Sequence, residues 1–374
     1  MYRRFKYTNL TLVLGVILAV GSCTRIETFR AGGEPVAFSV YGRRSLGTKA
    51  DGSFIGPGGT FAEGAVIDVY GWYHDNSTWS TDTDNTPDFM YNQDVTLQED
   101  GTWEYSPLKY WPNEDGISAA NTDNLSFWAC YPRGADGLTL LKPGAGEVPF
   151  DNETSGLPKI KYPQSKDPAL MQDLMLADPV YNVHKNLSHT VDEETWNYGA
   201  LTNGQVQLRF RHALALVEFV LDAGTGAEIT SLELTRIKWT GTIADPTVTP
   251  FVWSDVGDAG KVEIADQNVS SSVVLRLLAI PQSIDADATF TLRYNITFAS
   301  SDPTYDDPIV YTGDNFSVKL YKNTGPEAEQ YGVTAWESGH HYTYRISAGL
   351  DHIAFEEVAD ESWVSYGSEI SIPE

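Results

Sequence analysis

Val206-Gln207-Leu208-Arg209-Phe210-Arg211 is the stretch on which the fold turns: Val206, Leu208 and Phe210 fall on one side of an extended chain, and Gln207, Arg209 and Arg211 on the other. Successive side chains of an extended backbone point to opposite faces, so this alternation predicts a strand with one buried and one wet face. The apolar run that follows, Ala213 to Leu221 with Glu218 inside it, is long enough for a bend and a second strand. Downstream, strands are predicted over 229–238, 273–280, 289–298, 316–321, 341–348 and 352–358. Upstream, Val36, Phe38 and Val40 alternate with Ala37, Ser39 and Tyr41, and 66–73 reads as a buried strand followed by a polar loop over 74–88. Trp103 and Tyr105 oppose Thr102, Glu104 and Ser106, and 125–131 reads as a core strand ended by Pro132. A helix or irregular turn is expected only near 172–177. Aromatic and β-branched segments separated by Gly, Asn, Asp and Pro, with no long 3.6-residue stripe, predict an all-β chain. Between 184 and 205 the sequence turns polar and loses its period, which places a boundary between an N-terminal β-sandwich domain, 34–190, and a C-terminal one, 204–374.

The amino terminus carries a different signal. Arg3, Arg4 and Lys6 precede an apolar run from Leu10 to Val20, and Gly21 and Ser22 stand just before Cys23. That is a three-part export signal over 1–22. Its apolar part is about half of the roughly 20 residues a spanning helix needs. Small residues before a cysteine form a lipobox, with Val20 in place of the more usual leucine, so Cys23 is the predicted lipidation site and 23–33 the linker beyond it. Acyl chains contribute about 0.8 kcal/mol per buried methylene, so several hold a domain on a membrane.

The chain has 374 residues and a formal net charge of −26, and loss of Arg3, Arg4 and Lys6 makes the mature chain more negative still. Phosphate backbones demand the opposite sign, so nucleic acid is excluded as a partner. The two cysteines are Cys23 and Cys130; acylation of the first leaves no disulfide, and Cys130 reads as a small buried hydrophobe. No nucleophile elbow, P-loop, dinucleotide fingerprint or zinc-protease motif occurs, so no enzyme, cofactor or metal is expected. His340, His341 and His352 lack metal-ligand spacing, and adjacent strand residues point to opposite faces. His212, beside Arg211, reads as a hydrogen-bonded core histidine. Asp82, Asp84 and Asp88 have Pro87 where a calcium loop needs glycine, and read as a solvated acidic loop.

Several segments in order resemble the fimbrillin family of Bacteroidales, the Mfa-like lipoproteins that build or decorate surface pili. They are Gly47-Thr-Lys-Ala50, Val66-Ile-Asp-Val-Tyr70, Lys109-Tyr-Trp-Pro112, Leu125-Ser-Phe-Trp-Ala-Cys-Tyr-Pro132, Asp173-Leu-Met-Leu-Ala177, Leu208-Arg-Phe-Arg-His-Ala-Leu-Ala215, Trp336-Glu-Ser-Gly-His-His-Tyr-Thr-Tyr344, His352-Ile-Ala-Phe355 and Trp363. The resemblance implies two β-sandwich domains of transthyretin-like topology, export as an outer-membrane lipoprotein displayed on the cell surface or fimbrium, and polymerisation with other fimbrillin subunits by donor-strand exchange. It also implies a pilus-subunit or adhesin role, with a host or bacterial surface receptor as a further partner. In related stalk subunits an arginine-specific protease cuts after the first strand; the matching position here is Arg43 and Arg44. One departure is the segment after Cys23, where Glu27 stands in place of an acidic run.

A donor strand is available at the carboxyl end, where Val364, Tyr366, Ile370 and Ile372 share one face and Ser365, Gly367, Glu369 and Ser371 the other. The alternative is that this tail completes its own sheet. A second function from another class is glycan capture by exposed aromatics. Trp72, Tyr73, Trp79, Trp103, Tyr105, Tyr110 and Trp111 are dense in the first half, and Trp79, alone in a polar loop, is the expected ligand contact.

Overall fold

Residues 33–42, 61–112, 122–185, 201–202, 204–223, 227–269, 273–298, 309–312, 316–320, 333–348, 353–355 and 359–362 are described by a computed structural model. Cys23, Arg43, Arg44 and the tail bearing Val364, Tyr366, Ile370 and Ile372 lie outside the described residues.

The chain is all-β. Its first half contributes β1 (Ala37–Gly42), β2 (Val66–His74), β3 (Met90–Leu97), β4 (Trp103–Glu104), β5 (Asn124–Tyr131), β6 (Thr139–Leu141), β7 (Lys159–Pro163), β8 (Met175–Ala177) and β9 (Val180–Val183). Then come β10 (Leu201–Thr202), β11 (Gln205–His212), β12 (Ala215–Ala223), β13 (Ala227–Ile243), β14 (Trp253–Val269), β15 (Val273–Ala279), β16 (Gln282–Ser283) and β17 (Thr289–Phe298). The last are β18 (Ile309–Thr312), β19 (Phe316–Lys319), β20 (Ala335–Trp336), β21 (His340–Ala348), β22 (Ile353–Phe355) and β23 (Ala359–Ser362). In place of a helix or turn at 172–177 the structure has a single 3-10 turn at Pro168–Leu170 and then β8. Pro168 can start a turn but cannot donate, and Asp167 caps the turn through the N–H of Ala169.

The strands β1, β4, β3, β2, β5, β8 and β11 follow one another in a sheet, and β1 also pairs with β11, so the sheet closes on itself. Inside the ring lie Val36, Phe38, Ile67, Val69, Val95, Phe127, Ala129, Met175, Val206, Leu208 and Phe210. The opposite faces of β2, β5 and β8 are also covered: Tyr70, Trp72, Trp128, Cys130 and Leu176 join the core of the second half. Covering on both faces explains why these strands read as unbroken apolar runs. At Gly71 an added Cβ would stand 3.1 Å from the Phe127 ring, so the missing side chain lets that ring lie against β2.

In the second half, β15, β12 and β21 form one sheet and β18, β17, β13 and β7 another. The two meet face to face where Phe219 of β12 stacks on Phe290 of β17, with 4.5 Å between ring centroids. On the other face of β12, Glu218 lies between Arg276 of β15 and His341 of β21. Burial pushes the Glu218 carboxyl up, but hydrogen bonds from those two partners outweigh it and hold it below the usual range.

Strand pairing crosses the boundary expected between 190 and 204. β11 belongs to the closed sheet of the first half, and β7 pairs with β13 in the second. The bend at Ala213 and Leu214, both fully buried, is where the chain passes from one sheet to the next. It is fastened on every side: Ala213 N–H donates to Leu174 O at 2.8 Å, Trp253 Nε1 to Ala213 O at 2.7 Å, and Ser338 Oγ to His212 O at 3.0 Å.

Candidate functional site: the slot around the first strand

β1 runs parallel to β11 in the register Ala37↔Gln205, Phe38↔Val206, Ser39↔Gln207, Val40↔Leu208, Tyr41↔Arg209 and Gly42↔Phe210. Its alternation puts Val36 and Phe38 in the core at 1% and 2% exposure, while Ala37 and Ser39 are half-buried. The Phe38 ring meets Phe127 edge-on at 5.4 Å and Tyr105 at 5.7 Å. Burying a side chain of this size contributes about 1.5–3 kcal/mol.

On its other side β1 has one ladder pair with β4, Phe38↔Trp103, and is otherwise held by the segment 105–111 acting as a clasp. Val36 N–H donates to Lys109 O at 2.8 Å, and Pro35 bridges to Tyr110. The Tyr105 hydroxyl donates to Val36 O at 2.7 Å and lies 3.3 Å from the Lys109 N–H. Burial pushes the Tyr105 phenol up to about 12, so it stays a donor at neutral pH. Lys185 Nζ pairs with Glu34 just ahead of the strand at 3.1 Å. Backbone bonds and two sunken side chains therefore hold β1, and taking it out would bare the edge of β11 and an apolar groove.

The loop after β2 is the second feature. Trp79 is half-buried, its ring packed edge-on against Trp72 at 5.3 Å and tilted on Tyr181 at 4.9 Å. Its N–H donates to Asn182 Oδ1 at 2.7 Å, and its carbonyl accepts from Asn85 Nδ2 at 2.8 Å. Asp84 and Asp88 are exposed, as a solvated acidic loop requires, and Asp82 is half-buried. Asp82 accepts from His74 and from Asp84 N–H, and Asp88 accepts from Tyr73 N–H. Among the described residues no group of three or more His, Cys, Asp or Glu could hold a metal ion.

Sequence reasoning missed one constellation: His74 Nδ1 lies 2.9 Å from Asp82 Oδ2, and His74 Nε2 lies 2.8 Å from Ser126 Oγ. The Asp82 carboxylate only accepts, so the ring proton lies on Nδ1 and the Ser126 hydroxyl donates to Nε2, while Asn182 N–H donates to Ser126 Oγ at 3.1 Å. The connectivity is that of a serine hydrolase relay. Its burial is not: Ser126 is 1% and His74 0% exposed, at the end of β2 and near the start of β5, so no acyl group reaches the hydroxyl. Burial pushes the His74 ring down, partly offset by Asp82. The relay is a structural tie between β2, β5 and the loop. Its members are 52 and 8 residues apart in sequence, with no local motif to mark them.

The other singled-out residues fall as follows. Cys130 is buried, and burial pushes its thiol well above the ordinary value. His212 is a core histidine bonded to Asp173. His340 and His341 turn to different partners, Glu337 and Glu218. Trp72 and Trp111 are core residues, whereas Trp103 and Tyr110 are half-buried.

Among the described residues the first strand lies parallel to β11 and closes an all-β sheet. The sequence profile described as "Fimbrillin-like" matches residues 48–363, and the chain belongs to that family. Among solved structures it is similar to a fimbrial protein from Bacteroides vulgatus, at 18% identity and a TM-score of 0.51, covering 79% of this chain and 92% of that one. It is also similar to a candidate cell adhesion protein from Bacteroides ovatus, at 14% identity and a TM-score of 0.50, covering 89% and 99%. At these identities the likeness is one of fold. No curated protein sequence matches the chain.

Proposed function

We propose that this chain is a non-enzymatic subunit or adhesin of a surface fimbria, exported as an outer-membrane lipoprotein through Cys23 and joined to other fimbrillin subunits by strand exchange. The observation that carries this reading is the seating of β1. It stands first among the described strands, its ladder to β11 is made by backbone, and its Val36 and Phe38 fill a groove that another strand of like pattern would fill as well. A cut after Arg43 or Arg44 falls directly beyond Gly42 and detaches β1 together with the lipid. The tail strand with Val364, Tyr366, Ile370 and Ile372 supplies the filler for a neighbour. Restoring both ladder and buried side chains makes a joint that lasts without a covalent bond.

Intact-mass measurement of the native protein tests this. The expected species are a chain acylated at Cys23 and a shorter one beginning after Arg43 or Arg44, the shorter vanishing in the Arg43→Ala, Arg44→Ala variant. A native chain with neither acyl group nor trimming overturns the proposal. Glycan capture through Trp79 is the weaker reading, because that ring is half-buried and already packed against Trp72 and Tyr181. Retardation in polysaccharide gels abolished by Trp79→Ala would restore it.

A further inference from the structure

A strand at the end of a sheet leaves a row of backbone N–H and C=O groups unpaired, and folded chains blunt such edges with bulges, charges or short length. Most edges here are blunted. β14 carries Asp255 and Asp258 at positive φ, and its ladder with β13 shifts register. β6, β18, β19, β22 and β23 have three or four residues each. β15 is different: it ends the sheet β15-β12-β21 with seven residues, 273–279, which contain neither Gly nor Pro and keep a regular register with β12 throughout. Its one charge, Arg276, is paired with Glu218 of β12. At the far end Leu278 N–H donates to Met171 Sδ at 3.3 Å and so faces away from β12. Backbone groups alternate in direction along an antiparallel strand, so those of Arg276 and Val274 face the same way. Among the described residues no strand pairs with them.

We propose that a second copy of this chain pairs its own β15 with this edge, antiparallel about a two-fold axis at Leu275. The register follows from the residues. With Leu275 on the axis, Val274 meets Arg276 of the second copy and Arg276 meets its Val274, each pair exchanging both backbone bonds, while Val273 lies opposite Leu277. Moving the axis to Arg276 would set two cations directly opposite each other and would require the Leu278 N–H, which Met171 already holds. Moving it to Val274 would pair Arg276 with a residue ahead of the strand. Charge favours an identical partner. Each chain has a formal net charge of −26 and repels its copies, but the single charge of this edge is neutralised within its own sheet, so the joint brings no unpaired charge together. A joint this short falls below the roughly 1,200 Å² of a stable interface; it is weak between free chains and gains strength where many copies are held side by side. It uses an edge in the second half of the chain and is independent of the strand-exchange reading.

The test uses the full mature chain with Cys23→Ser, so that no acyl group drives association. Sedimentation over a concentration series should show a reversible monomer–dimer equilibrium. Val274→Pro removes an outward donor that β12 does not use, a change edge strands tolerate, and should weaken the dimer about ten-fold or more with the circular-dichroism spectrum unchanged. Leu275→Cys places a thiol opposite its own copy on the axis, with Cα atoms about 4.5 Å apart, so mild oxidation should give a covalent dimer linked through position 275. Leu277→Cys, which lies opposite Val273, should give none, and Cys130 is buried and does not compete. A monomer at every concentration up to about 1 mM overturns the proposal. So does a dimer indifferent to Val274→Pro, or one in which Leu275→Cys cross-links no better than Leu277→Cys. Should Val274→Pro fail to fold, the two cysteine variants decide alone.

Discussion

The His212 ring and the Asp173 carboxylate meet through Nδ1 and Oδ2 at 2.9 Å, with both side chains almost completely buried. The contact joins the last residue of β11 to the segment leading into β8, at the point where the chain leaves the closed sheet. Removing one partner of a buried hydrogen bond costs about 1–3 kcal/mol. Asp173→Ala should therefore lower stability by about that amount in urea unfolding.

Phe38→Ala empties the deepest part of the slot. Truncation of a buried phenylalanine costs about 3–5 kcal/mol, through lost transfer energy and the cavity left behind. Ser39→Ala, half-buried on the neighbouring position, should change stability by less than about 0.5 kcal/mol. Equal effects at the two positions in chemical denaturation would mean that β1 is not seated through its aromatic.

Acid should weaken the protein before its carboxylates titrate. Burial holds His184 down to about 4 and pushes His74 down as well, against about 6.5 for an unfolded chain. Because the folded state keeps these rings neutral while the unfolded state takes up protons, their contribution is fully present above pH 6.5 and is lost as pH falls toward 4. Asp82 and Glu218, held below their ordinary values, add losses only at lower pH. Urea midpoints should fall between pH 7 and 5 and fall less in His74→Gln; a flat profile over that span would contradict the burial of both rings.

Ser126→Ala leaves the His74 ring nitrogen and the Asn182 N–H without their shared hydroxyl. An unsatisfied buried polar group costs about 1–3 kcal/mol, and thermal unfolding should register a loss of that size. A fluorophosphonate probe should fail to label Ser126 in the native protein. Labelling would show that the relay is open to reagents and is more than a tie.

Legibility in the sequence follows the range of the forces involved. The 206–211 strand, the bend at 213–214 and β12 beyond it are all visible, because alternation is local and both cores demand apolar faces. β14 is not, because Asp255, Gly257, Asp258 and Gly260 read as turn residues; the structure uses Asp255 and Asp258 at positive φ, and the ladder with β13 shifts register between Leu234 and Ile237 and again between Thr240 and Thr242. The parallel partnership of β1 with β11 is invisible, since nothing in 37–42 specifies a partner at 205–210. Trp79 misleads in the other direction. Its neighbours in sequence are polar, but Asn182, about a hundred residues away, anchors the backbone that turns the ring inward.

The six-residue parallel ladder between β1 and β11 has a mechanical consequence. Tension entering at the amino end of β1 and leaving through the carboxyl end of β11 slides the two strands past each other rather than peeling them apart. The backbone bonds are then loaded side by side and must rupture nearly together, whereas a hairpin opened from its turn gives way one bond at a time. Any strand lying in the same direction in that slot inherits the same geometry, so a filament built this way would be strongest along its own length.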